Sequence, residues 1–490
     1  MGEAQRIVLR CELRTTLSGD LRQNKIEEYQ DEIEAYKTMR FAKAVSFTFI
    51  IKILKLALSL VTLIIISRIL GPKGLGIYTL VILLPALIIT FTNLGISRTV
   101  VYLIGKQRYS LREVVQTVIN FTFLLSIGSI LIALFIVTFL SDSIFPMVPR
   151  NLLLFGIIAI PASLFLSQCL LALLLSFQLF KEYNLADLIN SAAFLISCII
   201  ILCLLKLGTI GAILSYLVAL YLTTILVWRW VVKEVPCKYA LLKMNKPVLR
   251  ELLNFGIKVN LNTSLSFLHL RIDMLMLNYF LQPLTVGYYA IAVSLGEKLW
   301  LLSSSAATVL YPKVATIKQE RAKNELSSAV GRIIFFITAV GGCIMYFLSG
   351  FLISILFSKS YLQSVKPLQI LLIGMVAVSL ERIIANDLIA RGKPMINTYI
   401  TSFCVVLNVI LNLLLIPKWG VIGASWATSI SYSAGLIVKA FMFSKITGVG
   451  IREIVIIKPQ DIIPIYIRVR SAFLPKLLVK AGKPISKGSI

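Results

Sequence analysis

The stretch LGPKGLGIY at residues 70–78 recurs as LQPLTVGYY at residues 281–289, 211 positions further along the chain. Both copies read L-x-P-x-x-x-G-x-Y, so a leucine, a proline, a glycine and a tyrosine hold the same places. Proline and glycine end one helix and allow the next one to begin, and tyrosine favours the membrane interface. The pattern predicts the same tight turn between two helices in each half of the chain.

Further matches at nearly the same offset indicate an internal duplication. GTIGA at 208–212 matches GVIGA at 420–424, 212 positions later. Two pairs of lysines repeat at that offset as well: Lys206 with Lys418, and Lys181 with Lys393. Two halves with an even number of spans enter the membrane in the same direction, so their symmetry axis lies along the membrane normal, as in transporters built from parallel repeats. The alternative is an old duplication retained only for stability.

Composition places the chain in the membrane. Of its 490 residues, 58% are hydrophobic and 14% charged, with a mean hydropathy of +0.90, whereas soluble domains carry about 25% charged residues. A helical span needs roughly 20 apolar residues. We therefore predict an all-α polytopic membrane protein with two pseudo-symmetric six-helix lobes around a central cavity. The twelve predicted spans are about 45–70, 77–95, 113–140, 151–179, 185–205, 210–232, 252–280, 286–312, 327–357, 366–390, 395–416 and 421–445.

These spans divide the chain into five predicted segments: an N-terminal extension (1–42), an N-terminal lobe (43–232), a linker (233–251), a C-terminal lobe (252–446) and a basic tail (447–490). Met39 stands directly before the first span, and we expect it to be the natural start of the protein. The tail is either a membrane-surface segment or unstructured.

The net charge of +27 is read as a topology signal. About 32 Lys and Arg residues fall on the side that holds both termini and the longest connections, and about six fall on the other side. Short basic loops stay cytoplasmic. We therefore predict a multi-pass protein of the cell membrane with both termini and the linker in the cytoplasm. The cations attract membrane phospholipids, and no nucleic-acid partner is expected.

Several features exclude enzymes and metal sites. The seven cysteines have irregular spacing, which is typical of packing residues and shows neither a metal site nor a disulfide framework. The chain has a single histidine, His269, and lacks the G-x-x-x-x-G-K-[ST] pattern of a phosphate-binding loop. No connection on the outer side is long enough for a catalytic domain. We therefore expect neither catalytic residues nor a metal site nor an enzyme.

Charged residues inside the spans are the candidate binding residues, because such groups are costly at membrane depth and mark transport pathways. Six polar residues form the predicted cavity site for an anionic ligand: Lys52, Lys55, Asn260, Arg271, Lys298 and Arg382. Lysine serves as a point charge for phosphate, and arginine as a two-pronged donor. The cations alternatively snorkel to the interface or form structural ion pairs, and Asp387 is placed to pair with Arg391.

The seventh span carries the most polar residues, in two stripes about 160° apart on the helix. The stripes are Asn260, Ser264 and Arg271, and Asn262, Ser266, His269 and Asp273. One stripe is expected to face the cavity and the other to hydrogen-bond a neighbouring helix. Asp273 and Glu381 are predicted sites for a coupling proton or Na⁺, and no other cofactor is expected.

The motifs resemble the polysaccharide transporter family, the Wzx/RfbX-type flippases of the multidrug/oligosaccharidyl-lipid/polysaccharide superfamily. The resemblance covers about residues 43–446. It rests on SRILGPKGLGIYTL, which closes the first span, and on LRIDMLMLNYFLQPLTVGYYAIA, LYPKVA, ARGKPMINTYI and NVILNLLLIPKWGVIGASWATSISY. Arg271 and Asp273 match the R-x-D of the family's seventh helix, and Lys52 and Lys55 match basic residues of the first helix. Asn93 stands where many relatives carry an acid.

This resemblance implies a flippase that moves polyprenyl-pyrophosphate-linked oligosaccharide across the membrane, in some members coupled to an ion gradient, for cell-surface polysaccharides such as O-antigen. Its partners would be that lipid-linked oligosaccharide, membrane lipids and other membrane proteins of glycan assembly. A drug or metabolite:cation antiporter of the same superfamily is the first alternative. Such an antiporter favours acidic cavity residues. A membrane enzyme of glycan assembly is the second, and it would favour a long outer loop.

Overall fold

The structure is a computed structural model that describes residues 19–235, 243–458 and 461, with side chains from residue 50 onward. Within this part of the chain, the regular structure is helical and no strand occurs. The predicted linker (233–251) lies partly outside the described residues. The N-terminal extension (1–42), with Met39, lies outside the described side chains, and the tail (447–490) lies outside the described residues beyond Asp461.

The helices follow one another with short connections, and they are numbered here in chain order. They are α1 (Gly19–Thr92), α2 (Ile96–Lys106), α3 (Leu111–Ile144), α4 (Arg150–Ser176), α5 (Phe180–Leu204), α6 (Gly208–Glu234), α7 (Lys246–Phe280), α8 (Pro283–Gly296), α9 (Trp300–Thr316), α10 (Glu320–Leu356), α11 (Val365–Ala390), α12 (Pro394–Thr447) and α13 (Ile451–Val455). Short 3₁₀ segments precede α9 and α11.

Eight helices in the described ranges are long and apolar enough to cross a membrane, which confirms the predicted all-α polytopic membrane fold. Two of the eight, α1 and α12, bend sharply at Gly71 and Gly420, where φ is +64° and +58°. Left-handed backbone is strained for residues with a Cβ, so glycine lets each helix turn back on itself. The more polar residues from α7 to α9 are helical too. The count of twelve spans stays a prediction.

The internal repeat is visible in the backbone. Gly208 is the first residue of GTIGA and Gly420 is the first residue of GVIGA. Both have φ of +58°. Equivalent glycines therefore share a positive φ where α6 begins and where the second limb of α12 begins. This agreement supports the two-half organisation, which we describe as the N-terminal half (50–234) and the C-terminal half (246–447).

The two copies of the opening motif contact each other directly. A Cβ atom at Gly76 would lie 1.7 Å from the carbonyl oxygen of Pro283, and one at Gly287 would lie 1.9 Å from that of Pro72. The proline of each copy therefore faces the glycine of the other, as expected for a contact across a two-fold axis. We call this reciprocal contact the glycine–proline clasp. It holds the halves together at the end of the bundle where Gly71 lies.

The halves also meet at the opposite end, which carries most of the basic connections and is called the basic end. Here a Cβ atom at Gly95 would lie 2.3 Å from the carbonyl oxygen of Gly256. About one and two turns further along α7, Asn260 and Ser264 both donate to the carbonyl of Thr90, over 3.1 and 2.9 Å. The halves are thus in contact at both ends in this structure.

The clasp predicts that any side chain at Gly287 forces the halves apart. Gly287→Ala should lower the thermal midpoint of the purified protein, because overpacking a close contact costs about 1–3 kcal/mol. It should also increase labelling of a cysteine placed at the neighbouring buried Val286, since the clasp opens. Gly350→Ala is the matched control, because a Cβ there has no neighbour within 4 Å. Equal midpoints and equal labelling for the two variants would show that the clasp does not constrain the halves.

Candidate functional site

The polar stripes of α7 have separate environments. Asn260 and Ser264 bond to the Thr90 carbonyl of the N-terminal half, whereas Asn262, Ser266 and His269 line a cavity in the C-terminal half. One stripe thus packs against a neighbouring helix by hydrogen bonds and the other faces a cavity. Asn260 was predicted to bind substrate, and the structure places it in the contact between the halves.

The cavity has a volume of about 190 Å³ and is enclosed by α7, α11 and α12. Its charged and polar lining comprises Asn262, Ser266, His269, Glu381, Arg382, Asn397, Thr401, Tyr432 and Lys439. Two of the predicted site residues, Glu381 and Arg382, are therefore brought together here. We call this cavity the C-half pocket.

An ion pair forms one wall of the C-half pocket. The Lys439 ammonium group donates to Glu381, and both side chains are largely buried. Burial of two charges is favourable only when they are paired, because each pays a large desolvation cost alone. Glu381 was predicted as a coupling-ion site, and in this structure its carboxylate is neutralised by a lysine of α12.

Arg382 lies beside this pair in a different environment. Its guanidinium carbon is 4.2 Å from the centre of the Trp300 ring, a cation–π geometry. The indole Nε1 of Trp300 donates to the backbone carbonyl of Met375, which fixes the ring. Among the described residues, no carboxylate forms an ion pair with Arg382. Arg382 is thus a positioned cation whose hydrogen-bond donors remain open to an anion.

Arg271 is held on the other side of α7. Its two terminal nitrogens approach the two oxygens of Glu297 at 2.8 and 3.4 Å, a fork-like arrangement that fixes the guanidinium plane. Both side chains remain about a quarter exposed, so part of the guanidinium stays accessible. Lys298 follows Glu297 in the turn before α9 and is partly exposed. Arg271 thus forms an ion pair, as one of the alternatives for this residue expected, and its role in binding substrate stays a prediction.

Asp273 is fully enclosed, one turn beyond His269. Its carboxylate accepts hydrogen bonds from the hydroxyls of Tyr289 at 2.5 Å and Thr428 at 3.1 Å, and from the backbone N–H of Met274. Tyr289 is the tyrosine of the second motif copy, so the clasp region and Asp273 are joined by one hydrogen bond. Among the residues that the structure describes, the donors to this carboxylate are neutral.

Two asparagines of α12 extend the Asp273 network. Asn408 donates to Ser431 at 3.2 Å and, at 3.5 Å, to Thr428. Asn412 donates to the carbonyl and the side chain of Asn408, while its own Oδ1 is buried without a partner in the described residues. A buried oxygen without a donor is costly. Asn412 is therefore connected to Asp273 through Asn408 and Thr428.

The two lysines of the first span lie in the N-terminal half, away from the C-half pocket. Lys55 forms an ion pair with Asp187 of α5 at 2.5 Å, with both side chains nearly half exposed. Lys52 is also partly exposed and has no ion pair among the described residues. The structure thus distributes the predicted cations over both halves. It brings only Arg382 and Glu381 into one pocket.

Sequence reasoning missed several residues of these clusters. Lys439 is a lone charge in the apolar run AGLIVKAFMF, the same signal that identified Arg271. Tyr289, Thr428 and Trp300 carry no such signal, because their apolar or neutral side chains are common in spans. The predicted pairing of Asp387 with Arg391 is confirmed, with Arg391 Nε at 2.5 Å from the carboxylate.

The comparisons with known proteins agree with this architecture. The sequence profile of a family described as polysaccharide biosynthesis protein matches residues 41–318. A putative O-antigen transporter of Shigella flexneri is 24% identical over 395 residues, 78% of this chain and 93% of that protein. A probable low-salt glycan biosynthesis flippase of Haloferax volcanii is 25% identical over 36% of this chain. Three curated relatives, this flippase among them, are matched over only 38% to 50% of their own length.

The fold also resembles solved structures. The lipid II flippase MurJ in an inward closed conformation superposes with a TM-score of 0.72, at 17% identity, over 90% of this chain and 94% of MurJ. At this identity the similarity concerns the fold alone. The chain is therefore similar in architecture to a multi-pass membrane transporter.

The Glu381–Lys439 pair predicts strong coupling between two residues far apart in sequence. Glu381→Gln or Lys439→Gln alone should lower the thermal midpoint, since leaving one buried charge unpaired costs about 3–5 kcal/mol. The double variant should recover most of that loss. The exposed pair of Arg321 and Glu325 is the control cycle and should show little coupling. Additive losses at Glu381 and Lys439 would contradict the pairing.

Proposed function

The chain belongs to the polysaccharide biosynthesis protein family, and from this premise we propose that it is a flippase for polyprenyl-pyrophosphate-linked oligosaccharide. It moves its substrate from the cytoplasmic to the outer leaflet of the cell membrane by alternating access. The glycan serves cell-surface polysaccharide biosynthesis. The basic end of the bundle, with both termini, faces the cytoplasm. Other membrane proteins of glycan assembly supply and remove the substrate.

The observation that carries this proposal is the positioned cation Arg382. A diphosphate needs cationic donors, and Arg382 is fixed over Trp300 at membrane depth with no carboxylate partner among the described residues. Lys439 and Lys298 stand as further cations on the same half, and Arg271 keeps part of its guanidinium exposed. The lipid tail can stay in the bilayer while the polar head group occupies the space between the halves.

The size of the C-half pocket supports alternating access. About 190 Å³ is less than the roughly 300–1,000 Å³ that even small ligands fill. An oligosaccharide diphosphate therefore needs the halves to separate at one end. The glycine–proline clasp closes one end, and the Gly95–Gly256 contact closes the basic end. Opening them in turn makes the cations of both halves, including the already partly exposed Lys52 and Lys55, available to the substrate first from one side of the membrane and then from the other.

Asp273 is proposed as the coupling site, for Na⁺ or a proton. In the described part of the chain, the donors to its carboxylate are neutral, and the buried Oδ1 of Asn412, which is connected to it through Asn408 and Thr428, has no partner. Sodium prefers oxygen ligands, and a proton would equally remove the cost of the buried charge. Since Tyr289 links Asp273 to the second motif copy, loading this site would act on the clasp. Glu381 is the less suitable of the two predicted residues, because Lys439 already neutralises it.

The antiporter alternative has less support from the site. A carrier of cationic drugs needs carboxylates free to face its substrate. Here Glu381 and Glu297 are each paired with a cation, and Asp273 is enclosed. The cations therefore decide the charge of the accessible surface, which favours an anionic substrate.

We expect Arg382→Ala and Arg271→Ala to abolish surface glycan export while the protein still reaches the membrane. Each removes a charge-assisted donor to the diphosphate. Export is measured by surface glycan staining in a strain that depends on this protein, with membrane levels checked by immunoblot. Arg321→Ala, an exposed arginine at the start of α10, is the control and should export normally. Normal export by both cavity variants would refute a cationic binding site.

Coupling predicts that Asp273→Asn transports substrate without responding to an ion gradient. Proteoliposomes containing the purified protein are given an inward or outward gradient of Na⁺ or of protons, and lipid-linked oligosaccharide translocation is followed. One gradient should accelerate the native protein, and it should leave Asp273→Asn unchanged. Asp142→Asn, at an exposed position, should keep the native response. A gradient response retained by Asp273→Asn would place the coupling site elsewhere.

A further inference from the structure

A second cavity, of about 650 Å³, opens at the basic end between the two halves. One wall is the end of α2 with its connection to α3, and the other wall is the first three turns of α7. Its lining comprises Tyr102, Arg108, Tyr109, Lys246, Pro247, Arg250, Glu251, Asn254, Phe255 and Lys258. We call it the interfacial pocket. None of its residues belongs to the C-half pocket described above.

Cations of α7 form one edge of the interfacial pocket. Lys246, Arg250 and Lys258 share one face of the helix with Asn254, because all four are spaced at four-residue steps. At a rise of 1.5 Å per residue, this stripe extends over about 18 Å along α7. It runs from the beginning of the helix toward Asn260, where α7 meets the N-terminal half. The stripe therefore connects the basic end with the contact between the halves.

The carboxylate in the pocket neutralises little of this charge. Glu251 accepts a hydrogen bond from the hydroxyl of Tyr109 at 2.9 Å and lies 3.8 Å from Arg108. Within the described ranges, neither Lys246 nor Arg250 nor Lys258 forms an ion pair. Three cations of α7 therefore face the pocket without a counter-charge, whereas Glu251 is already engaged by Tyr109 and Arg108.

The opposite side of the pocket is aromatic and packed. The rings of Tyr102 and Phe255 stack with centroids 4.3 Å apart and planes 6° from parallel. The Lys106 ammonium lies 4.5 Å from the centre of the Tyr102 ring. This stack joins α2 of the N-terminal half to α7, one residue before the Gly95–Gly256 contact. The pocket thus has a fixed apolar wall and a cationic wall, a combination that suits an amphipathic lipid head group.

We propose that the interfacial pocket binds the phosphate of a membrane lipid head group at the basic end. Arg250 and Lys246 contact the phosphate oxygens, Lys258 attracts it toward the bilayer, and the Tyr102–Phe255 stack holds the adjoining lipid chain. The same chemistry is offered by two lipids: a prenyl diphosphate, and an anionic phospholipid such as phosphatidylglycerol. The prenyl diphosphate source rests on the proposed function, in which the pocket is the first place where the substrate contacts the protein.

Binding of a lipid at a defined site depends on particular residues, whereas diffuse electrostatic attraction to the membrane does not. Loss of any two cations at the basic end weakens diffuse attraction equally, since that depends on net charge. A defined site is weakened only by loss of the cations that line it. The Lys246→Gln/Arg250→Gln double variant removes two lining cations. The Lys318→Gln/Arg321→Gln double variant removes two exposed cations at the start of α10, and it is the matched control.

The test measures equilibrium binding of fluorescent short-chain lipids to the full-length protein in a neutral detergent. The probes are a prenyl diphosphate and phosphatidylglycerol, with phosphatidylcholine as the reference of zero net charge. We expect the pocket variant to lose about tenfold in affinity for the bound phosphate lipid, as two charge-assisted contacts are removed. The control variant should bind like the native protein, and thermal melting should show all three folded alike.

The outcomes identify the source. A loss confined to prenyl diphosphate assigns the pocket to the substrate head group, and a loss that includes phosphatidylglycerol assigns it to phosphate lipids in general. Equal affinities of the pocket and control variants for both lipids would overturn the site. Binding needs no transport, so this result is independent of the proposed function. A protein that binds the lipid without translocating it would overturn the flippase proposal and leave the pocket intact.

Discussion

The close approach of two backbones at the glycine–proline clasp sets how the halves of this protein fit together. No side chain fits at Gly76 or Gly287, because each faces the carbonyl of a proline in the other copy of the motif. The contact uses no charged group and little side-chain surface, so it can separate without leaving a buried charge unpaired. The contact is also reciprocal, so a side chain introduced at Gly76 and one introduced at Gly287 meet the same kind of obstacle, a proline carbonyl of the other copy. Such a contact suits a joint that opens and closes.

Helix α7 is the element on which the remaining chemistry depends. Near its start it carries the cations of the interfacial pocket, then Gly256 and Asn260 at the contact with the N-terminal half, then His269 in the C-half pocket and Asp273 beyond it. Charged groups at membrane depth are costly unless they are paired or functional. In this structure, Arg271 and Glu381 are in ion pairs, and Arg382 is stacked on the ring of Trp300. A motion of α7 relative to the N-terminal half would therefore change several polar contacts at once.

The fold was accessible from the sequence because its signals are periodic and repeated. Long apolar runs indicated membrane helices, and the recurring motif indicated two related halves, whose equivalent Gly208 and Gly420 have the same positive φ. The site was less accessible, because partner choice depends on helix packing. Nothing in the sequence says that Glu381 meets Lys439 or that Arg382 lies over Trp300. The first motif copy predicted a turn, but its contact with the second copy required the three-dimensional structure.

We propose that the halves must separate at the clasp for lipid-linked oligosaccharide to cross the membrane. The direct measurement is translocation of that lipid in proteoliposomes by a protein whose seven native cysteines are replaced by alanine and whose exposed Lys73 and Gln282 carry cysteines. A short, reducible crosslinker joins these two positions beside the clasp. The account predicts that translocation stops on crosslinking and returns on reduction. Unchanged translocation by the fully crosslinked protein would contradict it.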